Sequence, residues 1–298
     1  MSSFGIFLEF SSNNNITGNT ANSNSRDGIQ VYQSSNNILL NNTANSNDEH
    51  GIRVYLHSEN NIIQDNTASN NGRGIHLDQS SSNTLVNNTA SSNNAYGLSI
   101  DGGSDNILRR NILIDNDHGI GLASTTNNLM ENCTITGSIT LDIQMETDST
   151  LTSLNSTFNK MKVEVLGGSV LTVRWYLHVG VFDMAGDPVV GATVRVRDNA
   201  NGTYDENFTT GPDGWVRWIV VTEYVQSSMT YYTPHTVSVE SGSRVFENNP
   251  REVIMNDSRD EPFNEIPFTS EWLLPLLLVA LLVAPVRRRR SRKGGTRR

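Results

Sequence analysis

The stretch NNTANSNDEHGIRVYLHSENNIIQDNTASNNGRGIHLDQS occupies residues 41–80 and contains the pattern that decides the fold. It holds two copies of a glycine motif, GIRV and GIHL, and two copies of Asn-Thr-Ala. Along the chain the glycine motif recurs in steps of 23, 23, 23, 23 and 22 residues, starting at Gly5, Gly28, Gly51, Gly74, Gly97 and Gly119. A repeat of this length at a fixed period predicts a solenoid.

The composition of the repeat indicates which kind of solenoid forms. Asn, Gly, Ser and Thr are poor helix formers, which argues against the longer helical repeats. The block L-x-x-L-x-L that defines leucine-rich repeats is absent from the sequence. Each unit instead has two short alternating segments, such as 51–55 and 61–67, joined by polar turns. The sequence therefore predicts an all-β fold, with about seven coils of ~23 residues forming a parallel β-helix over residues 1–168.

Asparagine is concentrated in the repeat. It supplies 28 of the first 135 residues and only 9 of the remaining 163. Asn tolerates the left-handed backbone conformation of sharp corners, and its amide can pair with the same amide one coil above and below. We therefore expect a ladder of stacked amides formed by Asn19, Asn42, Asn66, Asn88, Asn111 and Asn132.

The period of two along a strand predicts which side chains of the glycine motif face inward. One aliphatic column comprises Ile6, Ile29, Ile52, Ile75, Leu98 and Ile120. The next comprises Leu8, Val31, Val54, Leu77, Ile100 and Leu122. Cys133, the sole cysteine, is expected as a small packed side chain in the column Thr20, Thr43, Thr67, Thr89 and Ile112. A single cysteine excludes an internal disulfide and a cysteine-based metal site.

The motifs GIxL and NNTA, recurring in register over residues 1–168, resemble the repeats of the NosD-like family, described as periplasmic copper-binding, within the pectate-lyase-like class. This resemblance implies a right-handed parallel β-helix. The same repeat class occurs in carbohydrate-active enzymes and in archaeal and bacterial surface proteins, so the resemblance is specific for the fold and leaves the function open.

A second region begins after about residue 168, where asparagine becomes rarer and Val, Tyr and Trp become more frequent. Short strands separated by turns predict a β-sandwich over residues 169–262. The segments GDPVVGATVRVRD (186–198) and TTGPDGWVRW (209–218) resemble the carboxypeptidase-regulatory or transthyretin-like, Ig-like sandwich. This resemblance implies an accessory module without catalytic residues, followed by a linker at residues 263–271.

The C-terminus combines an apolar stretch with a basic tail. WLLPLLLVALLVAPV (272–286) is followed at once by RRRRSRKGGTRR (287–298). Fifteen helical residues span roughly 22 Å against a hydrocarbon core of ~30 Å, but a short helix can thin the bilayer. The positive-inside rule then predicts a single transmembrane helix with a cytoplasmic tail and with residues 1–270 outside the cell. The layout resembles archaeal surface-protein sorting tails.

Other features agree with an exterior location. Before the basic tail the chain has 14 basic and 31 acidic residues, a net charge of −17, which disfavours nucleic-acid binding. The start of the chain resembles no signal peptide and is already in frame with the coils, so we expect an N-terminally incomplete piece of a longer exported protein. Sequons for glycosylation, which suit an exported protein, begin at Asn15, Asn41, Asn87, Asn132, Asn155, Asn201, Asn207 and Asn256.

Two outward columns of the glycine strand supply the candidate glycan-binding or cation-binding residues. Because neighbouring coils stack ~4.8 Å apart, one patch should contain Tyr32, Arg53, Tyr55, His76, Asp78 and Asp101. The two carboxylates, in adjacent coils, repel each other and suit a shared Ca²⁺. Arginine or histidine could abstract a proton from a uronate, and the tyrosines could stack against sugar rings. Outward positions of a solvated sheet are also polar without any function.

The remaining histidines predict no metal site. His50 and His118 precede equivalent glycines three coils apart, at a separation of ~14 Å, so we expect two separate surface side chains. The chain's six histidines and seven methionines form no soft-ligand cluster that would suit copper.

Three functions are compatible with the sequence. We favour a non-catalytic, membrane-anchored surface protein that presents the β-helix to glycans or cell-envelope partners. The first alternative is a polysaccharide lyase or epimerase that uses Arg53, His76, Asp78 and Asp101. The second is a metal-delivery module of the NosD type.

Overall fold

The computed structural model of the 298-residue chain describes residues 4–200, 202–227 and 229–267. These residues form 26 strands and a single 3₁₀ turn, Lys160–Lys162, which confirms the predicted all-β class. The first part of the chain winds as a parallel β-helix whose coils contribute to two long sheets and one short sheet.

The strands of the β-helix stack coil upon coil. Sheet one contains, in spatial order, Ile6–Glu9, Ile29–Tyr32, His50–Tyr55, Arg73–Asp78, Tyr96–Asp101, His118–Ala123, Leu141–Glu146 and Val163–Val165. Sheet two contains Asn15–Thr17, Ile38–Leu40, Ile62–Gln64, Thr84–Val86, Ile107–Arg109, Asn128–Glu131, Thr150–Leu154, Val170–Phe182, Trp215–Gln226 and Thr230–Tyr231, with Arg259–Asn264 beside Val170–Phe182. Sheet three contains Thr89–Ser91, Ile112–Ile114 and Thr134–Thr136.

The register of sheet one confirms the predicted aliphatic columns. Ile52 pairs with Ile29 in the preceding coil and with Ile75 in the next, and all three side chains are buried. The second column follows the same register two residues later. Burying a valine, leucine or isoleucine side chain contributes about 1.5–3 kcal/mol, so these repeated positions supply a continuous core along the solenoid axis.

Three asparagine ladders, rather than the single predicted one, line the corners of the coils. In a typical rung, Asn66 Oδ1 accepts hydrogen bonds from Asn42 N and Nδ2 at 2.9 and 3.0 Å, and Asn66 Nδ2 donates to Leu39 O at 2.9 Å. The buried backbone of the corners is thereby satisfied. The predicted ladder contains Asn19, Asn42, Asn66, Asn88 and Asn111. The other two contain Asn14, Asn37, Asn61, Asn83, Asn106 and Asn128, and Asn24, Asn47, Asn71, Asn93 and Asn116.

In the sixth coil, the ladder position lies one residue later than the sequence predicted. Asn111 N–H points at Cys133 Sγ over 3.4 Å, so Cys133 and not Asn132 occupies the ladder position. Asn132 lies at an exposed corner with a φ of 54°, and Ile112 pairs with Thr134. The expected threonine column for Cys133 is wrong, because Asn-Thr-Ala has decayed to Asn-Cys-Thr here and gives no anchor for the alignment. Burial raises the pKa of the Cys133 thiol to about 11, which keeps this packed side chain neutral.

Sheet two continues beyond the β-helix through one long strand. Val170–Phe182 pairs in parallel with Thr150–Leu154 of the preceding coil over residues 170–174. The same strand pairs in antiparallel fashion with Trp215–Gln226 and in parallel with Arg259–Asn264. It therefore belongs both to the last coil and to the C-terminal region, directly after the boundary predicted at residue 168.

The C-terminal region has a further sheet, sheet four, of antiparallel strands in the order Asp205–Thr209, Thr193–Asp198, His235–Glu240 and Arg251–Val253. Buried and exposed residues alternate along Thr193–Asp198, where Val194 and Val196 face the core. The region is built from strands, as the sequence predicts, and its assignment to the transthyretin-like sandwich stays a prediction.

No helix in the part of the chain that the structure describes is long and apolar enough to cross a membrane. The predicted transmembrane segment (272–286), the basic tail (287–298) and the end of the predicted linker lie outside the described residues.

Candidate functional site

The glycine of each repeat turns the chain so that the preceding residue faces outward. A Cβ on Gly51 would lie 2.7 Å from Ala68 Cβ and 2.8 Å from Asn71 Nδ2, two buried side chains, so this position faces the interior. Ile52 faces the interior as well, and strict alternation is therefore broken at the Gly-Ile step. His50, which alternation from Ile52 would direct inward, lies on the outer face of sheet one.

This third outward column contains side chains that the alternation rule missed. Along the chain, the residue before the glycine is polar or aromatic in five successive coils: Asp27, His50, Arg73, Tyr96 and His118. His50 pairs in register with Arg73, and Tyr96 with His118. The sequence alone could have indicated this column, because a polar or aromatic residue recurs immediately before the glycine in five successive coils.

The two histidines of this column are not free surface side chains, and that expectation is wrong. The His50 side chain is 14% exposed and its Nδ1 lies 2.7 Å from Asp27 Oδ1. The His118 side chain is 17% exposed and its Nδ1 lies 3.1 Å from Asp117 Oδ2. Their predicted separation is confirmed, since two further coils lie between them.

A row of polar contacts crosses the face from the second coil to the fifth. We call Asp27, His50, His76 and Asp101 the histidine row. After the contact between Asp27 and His50, His50 Nε2 lies 3.2 Å from His76 Nδ1, and His76 Nε2 lies 2.9 Å from Asp101 Oδ2. The two imidazole rings stack with centroids 4.9 Å apart. Arg73 Nη1 donates to the same Asp101 oxygen over 2.9 Å.

Burial and charge set the protonation of this row. Burial lowers the pKa of His76, which is 4% exposed, and the neighbouring His50 and Arg73 lower it further against the opposing effect of Asp101. Burial opposes ionisation of Asp101, but its hydrogen bonds and charge interactions with His76 and Arg73 hold its pKa below the usual value. The low pKa of His76 favours the neutral imidazole near pH 7, and both His76 and Arg73 stabilise the ionised form of Asp101.

The aromatic residues of the predicted patch form a cluster on the same face. The Tyr32 and Tyr55 rings, neighbours in register, have centroids 5.4 Å apart and are tilted by 42°. Phe7 and Phe10 extend the cluster, with centroids 6.4 and 5.8 Å from that of Tyr32. At the other end the Arg53 guanidinium lies 4.2 Å from the Tyr55 centroid.

The two predicted aspartates are paired with arginines. Asp78 and Asp101 are partners in adjacent strands, as expected. Arg53 Nη2 donates to Asp78 Oδ2 over 2.8 Å, while Arg73 holds Asp101. The guanidinium groups thus relieve the repulsion between the carboxylates, and a Ca²⁺ shared by both would have to displace them.

A groove of about 180 Å³ opens beside Asp101. It is lined by Arg73, Tyr96, Asp101, Gln144 and Glu146, among others. The Arg73 guanidinium lies 5.3 Å from the Tyr96 centroid, and Tyr96 Oη donates to Gln144 Oε1 over 2.7 Å. Burial raises the pKa of Tyr96, so the phenol remains a hydrogen-bond donor near neutral pH. A cation, a phenol and a carboxylate beside a neutral imidazole can bind an anionic group and exchange protons with it.

The sequon asparagines are mostly exposed. Exposed members are Asn15, Asn41, Asn87, Asn132, Asn207 and Asn256. Asn155 is half-buried and donates to Asn132 Oδ1 over 2.6 Å, and Asn201 lies outside the described residues. Glycosylation of these positions stays a prediction.

Comparison with known proteins supports the repeat assignment. The family model of the periplasmic copper-binding protein NosD matches residues 1–128. Together with the registered coils, this match decides the structural class. The chain is a parallel β-helix repeat protein. No curated protein sequence matches it.

Several solved structures are similar to parts of this chain. The β-helix protein is similar to the periplasmic alginate epimerase AlgG, with 19% identity and a TM-score of 0.50 over 57% of this chain and 47% of that one. The A-module of Azotobacter vinelandii mannuronan C-5 epimerase AlgE6 is 19% identical, with a TM-score of 0.45 over 56% and 54% of the two chains. The Streptococcus pneumoniae surface adhesin PfbA is 12% identical, with a TM-score of 0.33 over 72% and 69%. The β-helix protein thus spans about half the length of both epimerase chains.

Proposed function

We propose that the outer face of sheet one binds a polysaccharide chain along the solenoid axis. The observation that carries this proposal is the pair of tyrosine rings, Tyr32 and Tyr55, at neighbouring rungs, with Arg53 over the Tyr55 ring. Aromatic rings offer an apolar face to the C–H surface of a sugar, while the phenol and guanidinium supply hydrogen bonds at its edge. Because the coils repeat, such groups recur along one line, as a polymer requires.

An acidic polysaccharide is the first ligand to consider. Arg53 and Arg73 lie on this face, and an arginine fork recognises a carboxylate in bidentate geometry. Both are already paired with aspartates, so a uronate would bind by exchanging one carboxylate for another. Alginate, the polymer named for AlgG, is therefore the reference ligand, and neutral polysaccharides are the comparison.

Binding is tested by calorimetry of the full chain with alginate oligosaccharides and with a neutral oligosaccharide. We expect Tyr32→Ala and Tyr55→Ala each to weaken binding roughly tenfold, a loss of about 1.4 kcal/mol, because each removes one aromatic contact surface. Tyr231→Ala is the matched control, since Tyr231 is an exposed tyrosine that packs against another tyrosine in the C-terminal region. Equal losses in all three variants, or no binding by the unaltered chain, would contradict the proposal.

The second candidate function is epimerisation or β-elimination of a uronate. It is favoured by the buried, neutral His76 beside Arg73 and the groove containing Tyr96. In such a reaction His76 would take the proton from C5, Arg73 would neutralise the uronate carboxylate, and Tyr96 would return or deliver a proton. Epimerisation returns a proton to the opposite face of C5, and elimination expels the 4-linked sugar to leave an unsaturated product.

Turnover separates the two functions. Alginate is incubated with the chain, and the products are examined for unsaturated ends and for inverted uronates by proton NMR. A catalyst should lose turnover in His76→Gln and retain binding, with Tyr231→Ala as the active control. Binding without either product would leave a polysaccharide-binding surface protein.

We also propose that the protein is anchored in a membrane with the β-helix outside. The apolar segment 272–286, the basic tail and the acidic remainder of the chain support this location. Cell fractionation of the full chain and of a variant ending at residue 271 is the test. We expect the full chain in the membrane fraction and the shortened one in the soluble fraction, and equal partition of both would contradict anchoring.

A further inference from the structure

A carboxylate-imidazole cluster lies at one end of the histidine row. Asp27, Glu49 and His50 each offer one possible ligand atom, and these atoms lie within 4.8 Å of one another. Asp27 is fully buried, whereas Glu49 and His50 are half-buried, so the cluster is reachable from solvent. It shares no residue with the aromatic cluster of Tyr32 and Tyr55.

One oxygen of Asp27 requires a partner that the described residues do not supply. Asp27 Oδ1 is bound by His50, through Nδ1 at 2.7 Å and the backbone N–H at 3.2 Å. Asp27 Oδ2 is buried and receives no hydrogen bond from the described residues. A buried carboxylate oxygen without a donor is costly. A cation bound between Asp27 and its neighbours removes that cost.

The histidine row continues from the cluster across the face. His50 Nε2 lies 3.2 Å from His76 Nδ1, and His76 Nε2 lies 2.9 Å from Asp101 Oδ2. A group bound at His50 Nδ1 would therefore have its imidazole ligand supported from behind by His76.

We propose that Asp27, Glu49 and His50 bind a divalent metal ion of the Zn²⁺ type. Carboxylate oxygen and imidazole nitrogen both ligate Zn²⁺, whereas Ca²⁺ takes oxygen ligands. With the metal on His50 Nδ1, His50 Nε2–H donates to His76 Nδ1, and His76 Nε2–H donates to Asp101. His76 and Asp101 then form the outer shell that orients the metal-bound ring.

Arg26 is placed to position the second carboxylate. Its Nε donates to Glu49 Oε1 over 3.2 Å, which orients Glu49 beside Asp27. The cluster lies at the Asp27 end of the histidine row, whereas the groove at Tyr96 lies beside Asp101 at the other end. We therefore expect metal binding to be independent of polysaccharide binding.

Calorimetry of the full, metal-stripped chain with Zn²⁺ tests this site. We expect one Zn²⁺ per chain, with affinity reduced roughly tenfold or more in Glu49→Gln and in His50→Gln, the scale of effect seen when a metal site loses a supporting group. His118→Gln is the matched control, because this histidine occupies the same column but lies beside Asp117 and the Tyr96 ring, outside the proposed cluster. It should leave Zn²⁺ binding unchanged. Circular dichroism and the thermal midpoint establish that each variant is folded.

X-ray absorption of the Zn²⁺ complex gives a second measurement, with an expected shell of oxygen and imidazole nitrogen and no sulfur. Three results would overturn the proposal. These are no Zn²⁺ binding by the unaltered chain, binding that Glu49→Gln and His50→Gln leave intact, and a clear preference for Ca²⁺ over Zn²⁺.

Discussion

At the scale of single residues, the fold depends on side chains that satisfy buried backbone groups. An asparagine in a ladder forms hydrogen bonds with both neighbouring coils, so it stabilises the fold more than an exposed polar residue does. Asn66 is fully enclosed between Asn42 and Asn88 and also caps Leu39 O. The abundance of asparagine that could be mistaken for disorder is therefore a stabilising feature.

We predict that Asn66→Ala lowers the free energy of unfolding by about 2–4 kcal/mol. The substitution leaves the buried Asn42 N–H without its acceptor and removes the Asn66 amide donor to Leu39 O. An unsatisfied buried group costs ~1–3 kcal/mol, and each lost hydrogen bond adds to it. Chemical denaturation monitored by circular dichroism measures the change. Asn94→Ala, at an exposed position outside the ladders, is the control and should alter stability by less than about 0.5 kcal/mol. Similar losses for both variants would refute the role of the ladder.

A buried histidine in the C-terminal region makes the stability of the folded protein sensitive to acid. Burial lowers the pKa of His235 from 6.5 to about 4, against a smaller opposing effect of Asp198. The unfolded chain therefore takes up a proton at higher pH than the folded chain. The associated stability is fully present above pH 6.5 and is lost as the pH falls towards 4.

The expected loss from His235 is ~2–3 kcal/mol between pH 6.5 and pH 4. Denaturant unfolding across this pH range, for the unaltered chain and for His235→Gln, isolates the contribution. The variant should start less stable and show a shallower decline on acidification. Parallel declines for the two proteins would show that His235 has an ordinary pKa in the folded state.

At the scale of elements, the repeated glycine fixes the shape of each coil. Gly51 has interior atoms within 2.8 Å of where a Cβ would lie, including Gly74 O of the next coil. Because the same glycine reverses the alternation, it also places His50 on the outer face. One residue type thus controls both the packing of the corner and the composition of the candidate site.

We expect Gly51→Ala to destabilise the β-helix by about 1–3 kcal/mol, the usual cost of overpacking a close contact. Urea unfolding followed by circular dichroism is the measurement. Gly211→Ala is the matched control, since a Cβ there meets its nearest atom at 3.5 Å, an ordinary contact. A Gly51→Ala protein as stable as this control would show that the corner can relax around a methyl group.

The junction between the β-helix and the C-terminal region is a second decisive element. Glu223, 6% exposed, binds Lys160 Nζ with both oxygens at 2.6 and 2.7 Å and accepts from Trp175 Nε1 at 2.6 Å. Lys160 belongs to the last coil, Trp175 to the shared strand, and Glu223 to Trp215–Gln226. This carboxylate therefore joins the two parts of the molecule.

Removal of this carboxylate in Glu223→Ala should cost about 3–5 kcal/mol, because the substitution leaves a buried indole N–H and an ammonium without their partner. The tryptophan fluorescence transition and the circular dichroism transition should move together, since both parts share Val170–Phe182. Glu240→Ala, at an exposed strand end, is the control. A shift in fluorescence alone would mean that the two parts unfold independently.

The sequence correctly predicted the residues whose position in each coil is set by the regular spacing of the glycine motif. The aliphatic columns follow from the glycine spacing, and the structure has them in the expected register. The sequence assigned Cys133 to the wrong column because Asn-Thr-Ala is not retained in its coil. A shift of one residue therefore went undetected. The sequence analysis did not place His50 and Arg73 in the outward patch. It assumed that inward and outward residues alternate along the strand, and this alternation fails where the glycine and the next residue both face inward.

At the scale of the whole molecule, the β-helix presents one continuous face that changes character along its axis. Exposed aromatic rings at the first coils give way to arginine-aspartate pairs and then to the groove at Tyr96. No single coil contains this arrangement, because the aromatic, basic and acidic residues come from different repeats. A ligand that uses it must be extended, which is the physical basis for proposing a polysaccharide.

The most direct measurement is the structure of the full chain with a bound uronate oligosaccharide. We expect sugar rings against Tyr32 and Tyr55, with a carboxylate exchanged onto Arg53 or Arg73. An oligosaccharide bound to sheet three or to the C-terminal region, with the outer face of sheet one unoccupied at saturating ligand, would contradict it.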